Sequence, residues 1–163
     1  CKHLILRTSW VYGARGKNFM LTMLRLAKER SELRVVDDQV GAPTWCRSLA
    51  EVTAQILAQL YAPGASKDAL EHACGTYHLS SAGSVSWHGF ATEILRLADT
   101  QPMPALLAIP SREYPTPAAR PMNSVLSNDK LMRTFGLSAG DWQHNLQLCL
   151  QDALSYSDLP IKR

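Results

Sequence analysis

The sequence predicts an α/β fold. Short apolar, β-capable runs recur at residues 4–11, 33–38 and 76–81, segments with helical spacing alternate with them, and no internal repeat or low-complexity tract interrupts the order. With 163 residues, 46% of them apolar, the chain is long enough to bury a core and too apolar to default to disorder.

Residues 4–11 read as one strand, apolar without strict alternation, as suits a strand covered on both faces in a parallel sheet. Over residues 18–30, Phe19, Met20, Met23, Leu24 and Ala27 share one side of a helix, with Arg25, Lys28 and Glu29 off it. LRVVDD, residues 33–38, reads as a second strand. QVGAPT, residues 39–44, is a loop by its glycine and proline; it feeds a helix capped by Ser48, with Glu51 completing a capping box, that runs to about Tyr61 on Leu49, Val52, Ile56, Leu57 and Leu60. Residues 62–75 are the least patterned and read as a surface connection. TYHLSS is the next strand, and Ser86 caps a helix carrying Trp87, Phe90, Ile94 and Leu97. Six prolines between residues 101 and 121 keep that segment extended or irregular, with ALLAIP a short strand inside it. A small helix over residues 127–135 stops at Gly136, and a last amphipathic helix from Asp141 to about Leu154 turns Trp142, Leu146 and Leu150 inward.

Composition excludes several function classes. The 17 basic and 14 acidic residues leave a formal charge of +3 and are scattered, so no nucleic-acid partner is expected. No apolar run approaches the roughly 20 residues that cross a bilayer, and no leader pattern opens the chain, so the expectation is a cytoplasmic protein without a membrane partner. Cys1, Cys46, Cys74 and Cys149 form no C-x-x-C and have no histidine at ligand spacing, so they are expected as reduced thiols, with no metal site. Cys1 leads straight into an apolar run, which reads as a cut in a longer chain.

Chemistry-bearing motifs are sparse. GARGKN places Gly13 and Gly16 ahead of a helix, as a phosphate-binding turn would, but Phe19 stands where a dinucleotide fingerprint needs its third glycine, so a plain turn is the reading. None of the five tyrosines has a lysine four residues later, and the histidines are isolated. Asp37 and Asp38, adjacent at a strand end, point opposite ways and read as solvated charges. Arg120 follows a proline-rich approach, where stiff backbone would hold a guanidinium for bidentate contact with a phosphate.

RTSWVYG, NFMLTMLRLAKER, DDQVGAPT, SLAEVT, GTYHLSSAGSVSWHGFA, YPTPAARPMNSVLSNDK and DWQHNLQLCL, in this order over nearly the whole chain, resemble the carboxyl-terminal half of the dTDP-4-dehydrorhamnose reductases, extended short-chain dehydrogenase/reductases. The resemblance implies late Rossmann-type sheet elements plus the smaller α/β substrate-binding domain. Residues 1–163 would then be one fragment, with about 1–15 a strand of an otherwise missing cofactor domain. It implies reduction of the 4-keto group of dTDP-4-dehydro-L-rhamnose with NADPH or NADH. The glycine fingerprint and the Tyr-x-x-x-Lys pair would lie upstream, leaving this chain without catalytic residues, without bound cofactor and inactive alone. A non-catalytic binding or regulatory relative, and a reductase or epimerase of another dTDP-keto sugar, are the alternatives.

Carried onto this chain, the resemblance implies a dTDP-sugar site formed by Trp10, Asn18, Gln39, Gly41, Pro43, Thr44 and Arg120. Trp10 stands where many extended enzymes have asparagine; an indole covers the apolar face of a 6-deoxysugar, and the competing reading is a core plug. Gly41 permits close approach, Thr44 offers a hydroxyl, and Arg120 meets the diphosphate. Asn18 is equally explained as a helix N-cap. Arg47 stands where some relatives carry an acidic residue for a metal-linked dimer, which argues against that metal site; a homo-oligomer stays open.

Overall fold

The computed structural model of the chain describes residues 1–66, 68–118 and 120–157. Lys67, in the connection read over residues 62–75, and Ala119, next to Arg120, lie outside the described residues. The elements are β1 (Leu4–Arg7), β2 (Val11–Tyr12), α1 (Phe19–Glu29), β3 (Glu32–Val36), β4 (Val40–Gly41), β5 (Thr44–Trp45), α2 (Cys46–Tyr61), α3 (Ala69–His72), β6 (Gly75–His78), β7 (Val85–Ser86), α4 (Trp87–Leu97), β8 (Ala105–Ile109), a 3-10 turn (Ser111–Glu113), α5 (Asp129–Phe135) and α6 (Trp142–Ser157). The strands pair two by two: β1 with β6, β2 with β5 and β3 with β8 in parallel, β4 with β7 antiparallel.

The parallel pairs require long crossovers, and helices supply them. Between β3 and β8, in register from Glu32 opposite Ala105 to Val36 opposite Ile109, the chain passes through α4. Phe90, Ala91, Ile94 and Leu95 on α4 are wholly buried. They pack with Met20, Met23 and Ala27 of α1, Leu33 and Val35 of β3, and Trp142 and Leu146 of α6, forming the first core. A second core joins Val52, Ile56 and Leu60 of α2 to Tyr77 of β6 and to Leu131 and Phe135 of α5.

Four sequence expectations are corrected. The strand read over residues 4–11 is two strands, because Trp10 sits at φ 49° and turns the chain between β1 and β2. Nor is β1 covered on both faces: its residues alternate between half-buried and exposed, with Ile5 out. The helix read from Ser48 begins at Cys46, so Ser48 is buried inside it and Glu51 pairs with Arg47 instead of closing a capping box. The connection over residues 62–75 contains the one-turn helix α3.

The caps at Asn18 and Ser86 form as read, each side-chain oxygen accepting a backbone N–H of its helix at 3.1 and 3.0 Å. Gly136 ends α5 at φ 65°, its N–H bonded to the Met132 carbonyl, with open space around its α-carbon. Backbone strain is therefore all a side chain there would add. Gly136→Ala should destabilise the fold by about 1 kcal/mol in urea denaturation, leaving the far-UV dichroism of the native state unchanged.

Candidate functional site

A cleft of about 1100 Å³ opens between α1, β3 and the segment that follows β8. Phe19, Met23 and Leu26 of α1, Leu33 and Val35 of β3, and Ile109 of β8 supply apolar lining. Arg30, Arg34, Gln39, Glu113, Tyr114 and Arg120 supply polar lining, and Trp10 and Trp87 complete the wall. Apolar surface with a few convergent polar groups is the usual make-up of a small-molecule site.

The aromatic wall is a stack. The indoles of Trp10 and Trp87 lie 3.5 Å apart at 5°, and Phe19 meets Trp87 at 4.6 Å. A β-carbon on Gly41 would fall 2.3 Å from Cε2 and 2.5 Å from Nε1 of Trp10. Trp87 already fills one face of Trp10, so Gly41 lies over the other. The left-handed backbone of Trp10 is strained for a bulky residue and is held by this sandwich and by the Trp10 carbonyl, which accepts the Thr44 N–H at 3.1 Å.

Of the seven residues expected from the sequence, the structure brings Trp10, Gln39 and Arg120 to the cleft. Trp10 presents an edge there, since protein covers both faces; the open ring face expected for stacking on a sugar is absent from this arrangement. Gly41 serves the approach of Trp10. Thr44 is wholly buried, its hydroxyl donating to the Ala42 carbonyl at 3.0 Å and accepting the Ser81 N–H at 3.2 Å, so it offers nothing to a ligand. Pro43 is buried beside it. Asn18 caps α1 and donates to the carbonyls of Gly13 and Arg15, which closes the glycine turn on itself.

Of Asp37 and Asp38, read as solvated charges, Asp37 is exposed as read and Asp38 is half-buried, and both accept hydrogen bonds. Asp37 accepts the Ser86 hydroxyl at 2.5 Å, and Asp38 accepts the N–H and hydroxyl of Ser111. Sequence reasoning missed Phe19 and Trp87 as lining, since helical spacing marks them only as apolar-face residues, and it missed Arg30 and Tyr114, which close NFMLTMLRLAKER and open YPTPAARPMNSVLSNDK with no role of their own read from either motif. Among the described residues Arg34 pairs with Glu113 at 2.5 Å, whereas Arg30 and Arg120 make no ion pair. Three guanidinium groups (Arg30, Arg34 and Arg120) and two carboxylates (Glu32 and Glu113) line the cleft, and the two arginines outside any ion pair among the described residues are suited to an anion.

Burial pushes the Tyr12 phenol far above its usual range, with the nearby Cys149 and Cys46 thiols adding to the effect, and its oxygen has no hydrogen-bond partner among the described residues. Burial likewise pushes the Cys149 thiol up to about 12. Both groups stay protonated at neutral pH. Ser9 Oγ, on the cleft wall, and His88 Nε2 are also buried without a partner among the described residues. The glycine turn before α1 is tied through its carbonyls, those of Gly13 and Arg15 accepting from the Asn18 amide, and a β-carbon on Gly13 would sit 2.7 Å from Cys46 Sγ, so the turn lies packed against α2. Among the described residues no group of three or more His, Cys, Asp or Glu side chains is placed to hold a metal ion, and no helix is long and apolar enough to cross a membrane. Arg47, at the position of the doubtful metal-dimer residue, bonds Glu51 and Asp152.

Comparison with known proteins places these features in a family. The model of the RmlD substrate binding domain matches residues 1–155. The chain is 50% identical over 158 residues to dTDP-4-dehydrorhamnose reductase of Burkholderia thailandensis, covering 93% of this chain and 52% of that protein. It is 43% identical over 156 residues to the enzyme of that name from Escherichia coli K12, covering 93% and 50%. The chain therefore spans about half the length of the curated relatives it matches. Among solved structures, dTDP-4-dehydrorhamnose reductase from Bacillus anthracis str. Ames in complex with NADP superposes with a TM-score of 0.77 at 34% identity, covering 91% of this chain and 48% of that one.

The sandwich around Trp10 makes a direct prediction. Gly41→Ala should destabilise the protein by about 1–3 kcal/mol and reduce the near-UV dichroism of the stacked indoles, because the new methyl group overlaps the ring. In a Trp10→Ala background the same substitution should cost little, which paired denaturation curves would measure.

Proposed function

The chain belongs to the RmlD substrate-binding-domain family, and from that premise we propose that it forms the nucleotide-sugar-binding portion of an NAD(P)H-dependent reductase acting on the 4-keto group of dTDP-4-dehydro-L-rhamnose. The observation that carries the reading is the convergence of Arg120, Gln39 and the Trp10–Trp87 wall on one cleft with apolar lining, where Arg30 and Arg120 stand outside any ion pair among the described residues.

In this reading Arg120 and Arg30 face the diphosphate, whose paired charges a guanidinium meets bidentately. The apolar lining takes the base and sugar, Gln39 supplies donor and acceptor atoms between them, and the edge of the tryptophan wall meets the deoxysugar. Gly41, Pro43, Thr44 and Asn18 act indirectly, by fixing the backbone beneath Trp10 and ahead of α1. Residues from 1 to about 15 are assigned to the sheet of the cofactor domain, with the rest forming the substrate-binding portion. Hydride from the nicotinamide and the proton for the alkoxide are assigned outside residues 1–163. What this chain contributes is binding and orientation of the keto sugar, which lowers the barrier by positioning rather than by bond chemistry.

Two outcomes are expected. The chain alone should not consume NADPH or NADH in the presence of dTDP-4-dehydrorhamnose above a no-protein control; sugar-dependent consumption would place the chemistry within residues 1–163. In the protein expressed from the full open reading frame, Arg120→Ala should weaken dTDP and dTDP-sugar alike by about 1.5–3 kcal/mol in calorimetric titration, with cofactor affinity unchanged. Unchanged dTDP affinity would remove the diphosphate assignment.

A further inference from the structure

Arg120 lies on a loop with a closed neck. The chain leaves β8 at Ile109 and returns beside β4 at Met122, and both feet stand on the end of β3 and its continuation. At the entry foot the Asp37 N–H donates to the Ile109 carbonyl at 3.0 Å. Next to it, the Asp38 carboxylate accepts the Ser111 N–H at 2.9 and 3.0 Å and the Ser111 hydroxyl at 3.0 Å. At the exit foot the Val40 N–H donates to the Met122 carbonyl at 2.8 Å, and the Ser124 N–H and hydroxyl donate to the Val40 carbonyl at 2.9 and 3.1 Å. The two feet touch, Ser111 Oγ lying 4.0 Å from Met122 Sδ. A segment of this length whose ends meet is an Ω-loop.

The two feet differ in kind. The exit foot is tied by backbone groups that any residue would supply, apart from the Ser124 hydroxyl. Beyond the one backbone bond from Asp37 to Ile109, the entry foot is tied by a side chain, a half-buried carboxylate with two donors of a single serine on it. Bonds to an ionised acceptor are the strong, direction-sensitive kind. The other tie on this side, Arg34 to Glu113, joins two well-exposed side chains and contributes little.

We propose that Asp38 is a positioning residue for the anion site of the cleft: by closing the neck of the loop on Ser111 it fixes where the Arg120 guanidinium stands. The proposal rests on the diphosphate reading of Arg120. Asp38 touches no ligand itself; it acts through Ser111 and Met122, and Arg120 is two residues ahead of Met122.

The test is a double-mutant cycle read by calorimetric titration of dTDP into the protein expressed from the full open reading frame. Asp38→Ala should weaken dTDP about fivefold or more in the parent and less than about twofold in an Arg120→Ala background, because a misplaced group that is already gone cannot be lost again. Asp38→Asn, which keeps one acceptor oxygen, should recover part of the affinity, and Ser111→Ala should show a smaller loss of the same pattern. If Asp38→Ala does not fold, the cycle is run with Ser111→Ala and Asp38→Asn in its place. Unchanged affinity in these variants, or equal losses in both backgrounds, would overturn the proposal while leaving Arg120 on the diphosphate. No effect of Arg120→Ala in the parent would remove the diphosphate reading, and the proposal with it.

Discussion

The arrangement of the cleft depends on one close approach, that of Gly41 to the indole of Trp10. The missing β-carbon lets the ring lie flat between the β4 backbone and Trp87, and Phe19 extends the column into α1. Each aromatic pair contributes about 0.5–1.5 kcal/mol beyond its buried area, and the left-handed Trp10 backbone costs about 1–3 kcal/mol. These magnitudes are comparable, so the strained turn persists only while the column is intact. From that turn follow the break between β1 and β2, the pairing of β2 with β5, and the position of the wall above α1 and β3.

The cleft divides labour between rigid and irregular parts. Its apolar lining comes from elements packed into the first core, where Met20, Phe90 and Ile94 have no exposure at all. Arg120 and Tyr114 come from loop, placed by ties to the end of β3. The second core, around α2 and α5, lies apart from this and contributes none of the cleft's lining. A large-to-small substitution at Ile56 or Leu131 would thus act on the amount of folded protein, whereas one at Met23 or Val35 would also alter the cleft.

Much of this was legible in the sequence, for identifiable reasons. Helical periodicity exposed α1, α4 and α6, and short polar residues marked the caps at Asn18 and Ser86, because those signals are local. What escaped was set by distant partners. The turn at Trp10 is imposed by Gly41 and Trp87, far along the chain, so residues 4–11 looked like one strand. Ser48 had the spacing of a cap, but burial drew the helix start back to Cys46. Of the residues the motif resemblance named, Trp10, Gln39 and Arg120 line the cleft, while Thr44 carries a hydroxyl that Ala42 and Ser81 already use. Trp87 was visible only as a residue on an apolar helical face.

The prolines of the Arg120 loop bear on affinity as well as on shape. Ordering an ordinary residue when a ligand arrives costs roughly 1–2 kcal/mol of backbone entropy, and every such cost is subtracted from binding. Pro115, Pro117 and Pro121 have little of that freedom to lose, and the neck already fixes the feet. In the proposed diphosphate reading, most of the ordering cost has then been met during folding, before any anion enters, and the loop would be a pre-organised receptor whose affinity reflects contact energy more than disorder lost on binding.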